Sequence, residues 1–244
     1  MIELIKSPDA YQLRDGLCEL SFRLVGDRWQ HALTVRQGDA WRPLLVSDEG
    51  QPGDESLRTP VFQDLRCEEP GVGIVEYQLM GQSGPGVYSG AVRYSAADRT
   101  LDFDLCGRAR SGTVGLCTFT TYRMDERARA IDNRRDCQHE IPLTPNPSPA
   151  GGEGNKILGT GGSLESCAIS NLEGNAAVLS LEGIPLLRVK PVPIAGSPAS
   201  ECWFSGEEGP SQLVVGCCES ATPDSHQKPA NIRWRYRITV IEQP

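Results

Sequence analysis

NIRWRYRITVI, residues 231–241, alternates apolar and polar side chains from end to end. This alternation predicts a β-strand, because successive side chains of a strand point to opposite faces of the sheet. One face of the strand is therefore expected to lie in a core. The other face carries Arg233, Arg235 and Arg237 and is expected to meet solvent or a cleft.

The same period of two recurs over most of the chain. Residues 17–25 and 100–109 alternate as clearly as the final stretch, whereas only the short, charged stretch 125–135 has a helical pattern. Further runs typical of strands are 29–36, 41–47, 72–80, 87–95, 116–124, 176–180, 184–189 and 211–217. Eleven predicted strands with turn signals between them indicate an all-β fold, a large antiparallel β-sandwich.

Two segments interrupt this pattern. Residues 47–70 are polar and acidic and are interpreted as a long loop between strands. Residues 142–163 are rich in Pro, Gly, Ser and Asn and have no apolar face, so they cannot bury enough surface to offset the entropy of ordering. The chain is therefore expected to be one β-sandwich domain, 1–244, with a flexible insertion at 142–163.

Composition excludes several classes of protein. No run approaches the roughly 18 apolar residues of a membrane span, and the net charge of −8 disfavours non-specific nucleic-acid binding. The N-terminal residues lack the features of a secretory signal, which favours a cytoplasmic location. Nine cysteines without a CxxC pair indicate structural thiols rather than a metal site, and no cofactor motif is present.

Three stretches together resemble a known family. They are DGLCELSFRLVGDRWQHALTVRQGDAWRPLLVSDEG (15–50), the strands of 73–124 and the closing PANIRWRYRITV (229–240). They resemble β-supersandwich domains of the galactose mutarotase-like superfamily. The resemblance implies a twisted antiparallel sandwich with a concave face that often receives sugars. Residues 142–155, PLTPNPSPAGGEGN, resemble a short repeat translated into unrelated reading frames of bacterial genomes, planctomycetes among them.

Aldose epimerases of that superfamily suggest catalytic candidates. Residues 216–224, GCCESATPD, have the spacing of their Glu and the Pro-Asp that follows it, which makes Glu219 the candidate base and Asp224 a substrate-binding candidate. In anomer exchange a carboxylate takes the O1 proton while an imidazolium protonates the ring oxygen. His226 and His139 are the candidate acids, with a surface role as the alternative for both. His31 alternates with apolar residues and is expected in the core or at an edge.

The arginines of the last strand complete the predicted site. Arg233, Arg235 and Arg237 form a row that either pairs with Asp102 and Asp104 of a neighbouring strand or holds a carboxylate or phosphate of a sugar. The sequence thus favours a carbohydrate-binding or carbohydrate-processing protein related to aldose epimerases, with a sugar or sugar acid as partner. The alternative is a non-catalytic β-sandwich module of unknown ligand, either for interaction with another protein or as an accessory domain of a polysaccharide-processing system.

Overall fold

The structure, a computed structural model, describes residues 2–37, 39–50, 59–83, 86–109, 116–124, 175–181, 184–205, 212–217 and 231–241. These ranges contain fifteen strands and no helix that could cross a membrane. The strands are β1 (Ile2–Ser7), β2 (Ala10–Asp15), β3 (Cys18–Val25), β4 (Arg28–Gln37), β5 (Ala40–Ser47), β6 (Asp64–Gly71), β7 (Ile74–Ser83), β8 (Gly86–Ser95), β9 (Thr100–Ala109), β10 (Phe119–Met124), β11 (Ala177–Leu181), β12 (Ile184–Pro191), β13 (Ser200–Ser205), β14 (Gln212–Cys217) and β15 (Asn231–Val240). The predicted helix over 125–135 and the predicted insertion at 142–163 lie outside the described residues.

The strands form two antiparallel sheets that pack as a sandwich. The eight-stranded sheet has the order β1-β2-β3-β4-β5-β10-β14-β13, and the seven-stranded sheet has the order β11-β12-β15-β9-β8-β7-β6. One cluster of buried apolar side chains from both sheets lies between them. The prediction of a large all-β antiparallel sandwich is confirmed.

Strand β15 pairs with β9 on one side and β12 on the other. Its apolar residues enter the core, where Trp234 and Tyr236 are fully buried, while Arg233 and Arg237 are exposed. Large aromatic side chains bury roughly 150–250 Å² each, so the two rings are a main source of the burial that holds β15 in place. The alternation in the sequence is thus the alternation between core and outer face.

The predicted loop over 47–70 is wrong at its C-terminal end. Residues 64–71 form the edge strand β6, which pairs with β7, so the connection after β5 covers only residues 48–63. Its last residues join the two sheets. The Trp29 amide of β4 donates to the Phe62 carbonyl (2.8 Å), and the Gln63 amide donates to the Met80 carbonyl of β7 (2.9 Å).

Candidate functional site

The polar side of β15 forms part of the outer face of the seven-stranded sheet. Antiparallel register sets Arg237 opposite Asp102 of β9 and opposite Lys190 of β12. In the adjacent row Arg235 lies opposite Asp104 of β9. Residues that share a face and a row have Cβ atoms about 5 Å apart, so these charged side chains interact directly.

Positive charge dominates four neighbouring strands of this outer face, whereas β6 and β7 carry Asp64, Glu68 and Glu76 there. On β8, β9, β12 and β15 the outward positions of the described residues hold two acidic side chains and seven basic ones. We call this surface the arginine face; its basic residues are Arg93, Arg108, Arg188, Lys190, Arg233, Arg235 and Arg237, and its acidic residues are Asp102 and Asp104. The chain as a whole carries −8, so the arginine face is a local reversal of charge that attracts anions.

Two of the arginines form bidentate ion pairs across the strands. Arg233 Nε and Nη2 donate to Asp104 at 2.7 and 2.5 Å, and Arg237 Nε and Nη2 donate to Asp102 at 2.8 and 3.0 Å. The hydrogen bonds to the aspartates raise the pKa of both guanidinium groups. The predicted pairing of Asp102 and Asp104 with this row is confirmed. Exposed pairs of this kind contribute at most about 1 kcal/mol to stability.

Arg235 differs from its two neighbours. Its nearest acidic atom is Asp102 Oδ1, 3.8 Å from Nη2, which is beyond hydrogen-bond distance. Its Nε is buried and has no hydrogen-bond partner among the described residues. A guanidinium group is a planar fork of five donors that fits a carboxylate or phosphate in two-point contact. Arg235 therefore offers the terminal Nη groups of such a fork to a ligand, between two arginines that are already paired.

The strand beneath these arginines is fixed by aromatic packing. The Tyr236 ring stacks on Phe103 of β9 with centroids 4.7 Å apart, and its hydroxyl lies 2.6 Å from the Tyr122 hydroxyl of the opposite sheet. Rigid strands hold side chains more closely to one geometry than loops do. The arginine face is thus a pre-formed surface.

The predicted site residues divide into two groups. Arg233, Arg235 and Arg237 lie together on the arginine face, as expected. Glu219, Asp224, His226 and His139 lie outside the described residues, so their catalytic or binding roles stay predictions.

Sequence reasoning missed the basic residues on the strands that flank β15 and β9. Lys190 and Arg188 of β12 and Arg93 of β8 are exposed on the same face. Their strands are predicted by period-two runs, and the polar positions of those runs were the available signal. The neighbours of each strand, which bring these charges together, depend on the sheet order.

A second set of polar side chains lies inside the sandwich. His31 Nε2 is 2.9 Å from the Tyr122 hydroxyl, which is hydrogen-bonded to Tyr236, and His31 Nδ1 is 3.8 Å from Glu49 Oε1. Ser47 Oγ is hydrogen-bonded to the same Glu49 oxygen. These five residues are the buried polar cluster, and they extend from the end of β5 to β15.

Burial controls the charge state of this cluster. It lowers the pKa of His31 from 6.5 to about 3 and raises the pKa of Glu49 from 4.5 to about 7. His31 is buried between Phe22 and Phe103, so the expectation that it is a core or edge residue is confirmed. Glu49 was missed because a polar residue just after a strand has the same sequence pattern as a surface residue.

Three described cysteines, Cys18, Cys117 and Cys202, are free thiols buried in the core. Burial raises the pKa of Cys18, Cys117 and Cys202 to about 12, which keeps these thiols protonated and unreactive. In the described ranges no group of His, Cys, Asp and Glu side chains is arranged to hold a metal ion.

Comparison with known proteins adds no assignment. No protein-family model matches the sequence, and no curated protein matches it significantly.

Proposed function

We propose that this protein binds a carbohydrate that carries a carboxylate or phosphate, and that the acidic group docks on the arginine face. The observation that carries the proposal is Arg235, a guanidinium group without a hydrogen bond to any described residue, between two arginines already paired with aspartates. It lies on a basic surface of an acidic chain, where long-range attraction and two-point contact favour the same kind of ligand.

The sugar part of the proposal rests on the surrounding groups and on the family resemblance. Asp102 and Asp104 offer acceptors and Ser89 a hydroxyl on the same face, and sugar hydroxyls need acceptors and donors in such alternation. The galactose mutarotase-like resemblance of 15–50, 73–124 and 229–240 supports a saccharide ligand. Glu219 as base and His226 or His139 as acid would supply anomer exchange, and that step remains a proposal.

The alternative, an interaction module, has less support. The exposed large apolar side chains of the described surface belong to several different strands and turns; they are Ile5, Leu17, Leu24, Val25, Val72, Met80 and Val87. Protein-binding surfaces are marked by contiguous apolar patches, whereas single exposed apolar residues are ordinary.

Replacement of Arg235 tests the proposal. We expect D-galacturonate or D-galactose 1-phosphate to bind, D-galactose to bind more weakly, and Arg235→Gln to weaken the acidic ligand at least about tenfold, or about 1.4 kcal/mol. Titration calorimetry with each of the three sugars provides the measurement. The two acidic sugars distinguish a carboxylate site from a phosphate site.

The matched control is Arg66→Gln. Arg66 is an exposed arginine of β6 at the far edge of the same sheet, so its loss changes net charge equally without touching the arginine face. We expect the Arg66→Gln variant to bind the acidic sugars with the affinity of the wild type. Equal binding of galactose and galacturonate, or equal weakening by Arg66→Gln and Arg235→Gln, would contradict the proposal.

A further inference from the structure

The hydroxyl of Ser47 has three hydrogen-bonding neighbours. The His31 amide donates to Ser47 Oγ (2.8 Å), the His31 carbonyl lies 2.9 Å from the same atom, and Glu49 Oε1 is hydrogen-bonded to it. An amide can only donate, a carbonyl can only accept, and a hydroxyl has a single proton. Ser47 can therefore donate to only one of the two oxygens, and both contacts are satisfied together when a neutral Glu49 carboxyl group donates to Ser47.

The second oxygen of Glu49 supports the same protonation state. Glu49 Oε2 is buried and has no hydrogen-bond partner among the described residues. A buried carboxylate with an unpartnered oxygen loses hydration that nothing replaces, whereas the neutral acid loses much less. Burial thus disfavours the charge more than the side-chain hydrogen bonds from Ser47 and Gln30 favour it.

The groups around Glu49 offer no compensating cation. The Arg28 guanidinium donates to the Glu49 backbone carbonyl (3.1 Å) and also pairs with Asp27. His31 is neutral at ordinary pH, because burial lowers its pKa to about 3. The titratable and charged groups that pack near Glu49 are Asp48 on its own segment, Arg28 and His31 on β4, Tyr122 on β10 and Tyr236 on β15.

We propose that Glu49 is a protonated carboxylic acid in the folded protein below neutral pH, and that loss of its proton weakens the attachment of residues 47–50 to β4 and β10. That attachment consists of the Ser47 contacts with His31, the Arg28 bond to the Glu49 carbonyl and the bond from the Asp48 amide to the Thr121 carbonyl (2.9 Å). A carboxylate at this position cannot donate to Ser47 and instead competes for the proton that Ser47 gives to His31. Residues 47–50, which we call the clasp, are therefore attached to β4 and β10 in a pH-dependent way. This attachment is independent of the arginine face.

Infrared spectroscopy of the whole chain tests the protonation state. We expect a C=O stretching band of a neutral carboxyl group at about pH 6 that shifts when the glutamate carboxyl carbons are labelled with ¹³C. The band should be absent from Glu49→Gln. It should move in frequency in Ser47→Ala, which removes the hydroxyl that accepts the hydrogen bond of the Glu49 carboxyl group. The labelled wild type and Ser47→Ala decide the question even if Glu49→Gln fails to fold.

Amide hydrogen exchange tests the clasp. We expect the protection of the Asp48 amide in the wild type to fall about tenfold relative to Glu49→Gln between one pH unit below and one above the midpoint of the infrared band. Comparison of the wild type with Glu49→Gln at each pH removes the intrinsic pH dependence of amide exchange. Glutamine keeps a donor toward Ser47, so Glu49→Gln imitates the protonated state at every pH.

Glu19→Gln is the matched control. Glu19 is also a buried glutamate of the eight-stranded sheet, but Arg14 pairs with it at 2.7 Å and compensates its charge. This variant should keep both the infrared band and the pH dependence of the Asp48 amide. Absence of a glutamate-labelled neutral carboxyl band in the wild type at about pH 6 would overturn the protonation, and unchanged Asp48 protection across its titration would overturn the clasp.

Discussion

Gly81→Ala is expected to lower the free energy of unfolding by about 3 kcal/mol, because an alanine there has no room for its Cβ. An ideal Cβ on Gly81 would lie 2.1 Å from the Val61 carbonyl oxygen and 2.7 Å from Phe62 Cα. Both atoms belong to the backbone and cannot turn aside as a flexible side chain can. The alanine therefore displaces residues 61–63 from β7, and urea unfolding monitored by fluorescence measures the loss.

The displaced residues join the two sheets, which explains the size of the expected effect. Gln63 makes three hydrogen bonds to β7; in two of them its side chain donates to the Gln82 carbonyl and accepts from the Gln82 amide. On the other side Trp29 donates to Phe62 from its amide and to Gln63 from its indole nitrogen (3.1 Å). A shift of this segment weakens contacts to both sheets at once.

Gly71→Ala is the matched control for this substitution. Gly71 ends β6, and the nearest atom to its ideal Cβ is Ile74 Cδ1 at 3.7 Å, an ordinary contact. Its stability should stay within about 0.5 kcal/mol of the wild type. Equal losses in the two variants would show that the close approach at Gly81 is not the cause.

The sequence predicted the strands whose one face is deeply buried and missed those at the margins of the sheets. All eleven predicted strands occur, whereas β1, β2, β6 and β13 were not predicted. Three of these four are edge strands, and β1 and β6 are largely exposed on both faces. Apolar and polar residues alternate in a strand because one of its faces is buried, so the alternation is weak in strands with little burial. Polar residues and Pro70 are tolerated in β6 because an edge strand needs fewer ladder hydrogen bonds.

The candidate site could be predicted only in part for a related reason. The arginine row and its aspartate partners follow from alternation within two strands, and the structure pairs them although they are 129 and 135 residues apart in sequence. Which arginine stays without a hydrogen bond depends on the register of β15 with β9, and periodicity does not fix a register. The buried polar cluster depends on the relative positions of four strands, β4, β5, β10 and β15, and of Glu49 after β5, and no local sequence pattern predicts that these residues come together.

Glu49 and His31 are expected to give opposite pH dependences of stability. Burial raises the pKa of Glu49 from 4.5 to about 7, so its contribution is fully present below pH 4.5 and is lost as the pH rises toward 7. Burial lowers the pKa of His31 from 6.5 to about 3, so its contribution is present above pH 6.5 and is lost as the pH falls toward 3. Each pH dependence follows from the difference in the number of bound protons between the folded and unfolded states.

Comparison of single variants with the wild type separates the two contributions. Relative to Glu49→Gln, the wild type should lose about 3 kcal/mol of stability as the pH rises through the Glu49 interval. Relative to His31→Gln, it should lose stability as the pH falls through the His31 interval. Urea unfolding at a series of pH values gives both differences, and any constant cost of lost packing at His31 cancels from the slope.

In the overlap of the two intervals the pair should leave the stability of the wild type unchanged. Between pH 4.5 and 6.5 the unfolded pair holds one proton on His31, and the folded pair holds one proton on Glu49, so folding exchanges none. A buried ion pair between the same side chains, 3.8 Å apart, would also hold one proton there and give the same plateau. The pH dependence of stability counts protons and not their positions, so it is the same for both arrangements. Only the neutral pair contains a protonated carboxyl group, so the infrared band of the labelled Glu49 carboxyl decides between a neutral pair and a charged pair in the core.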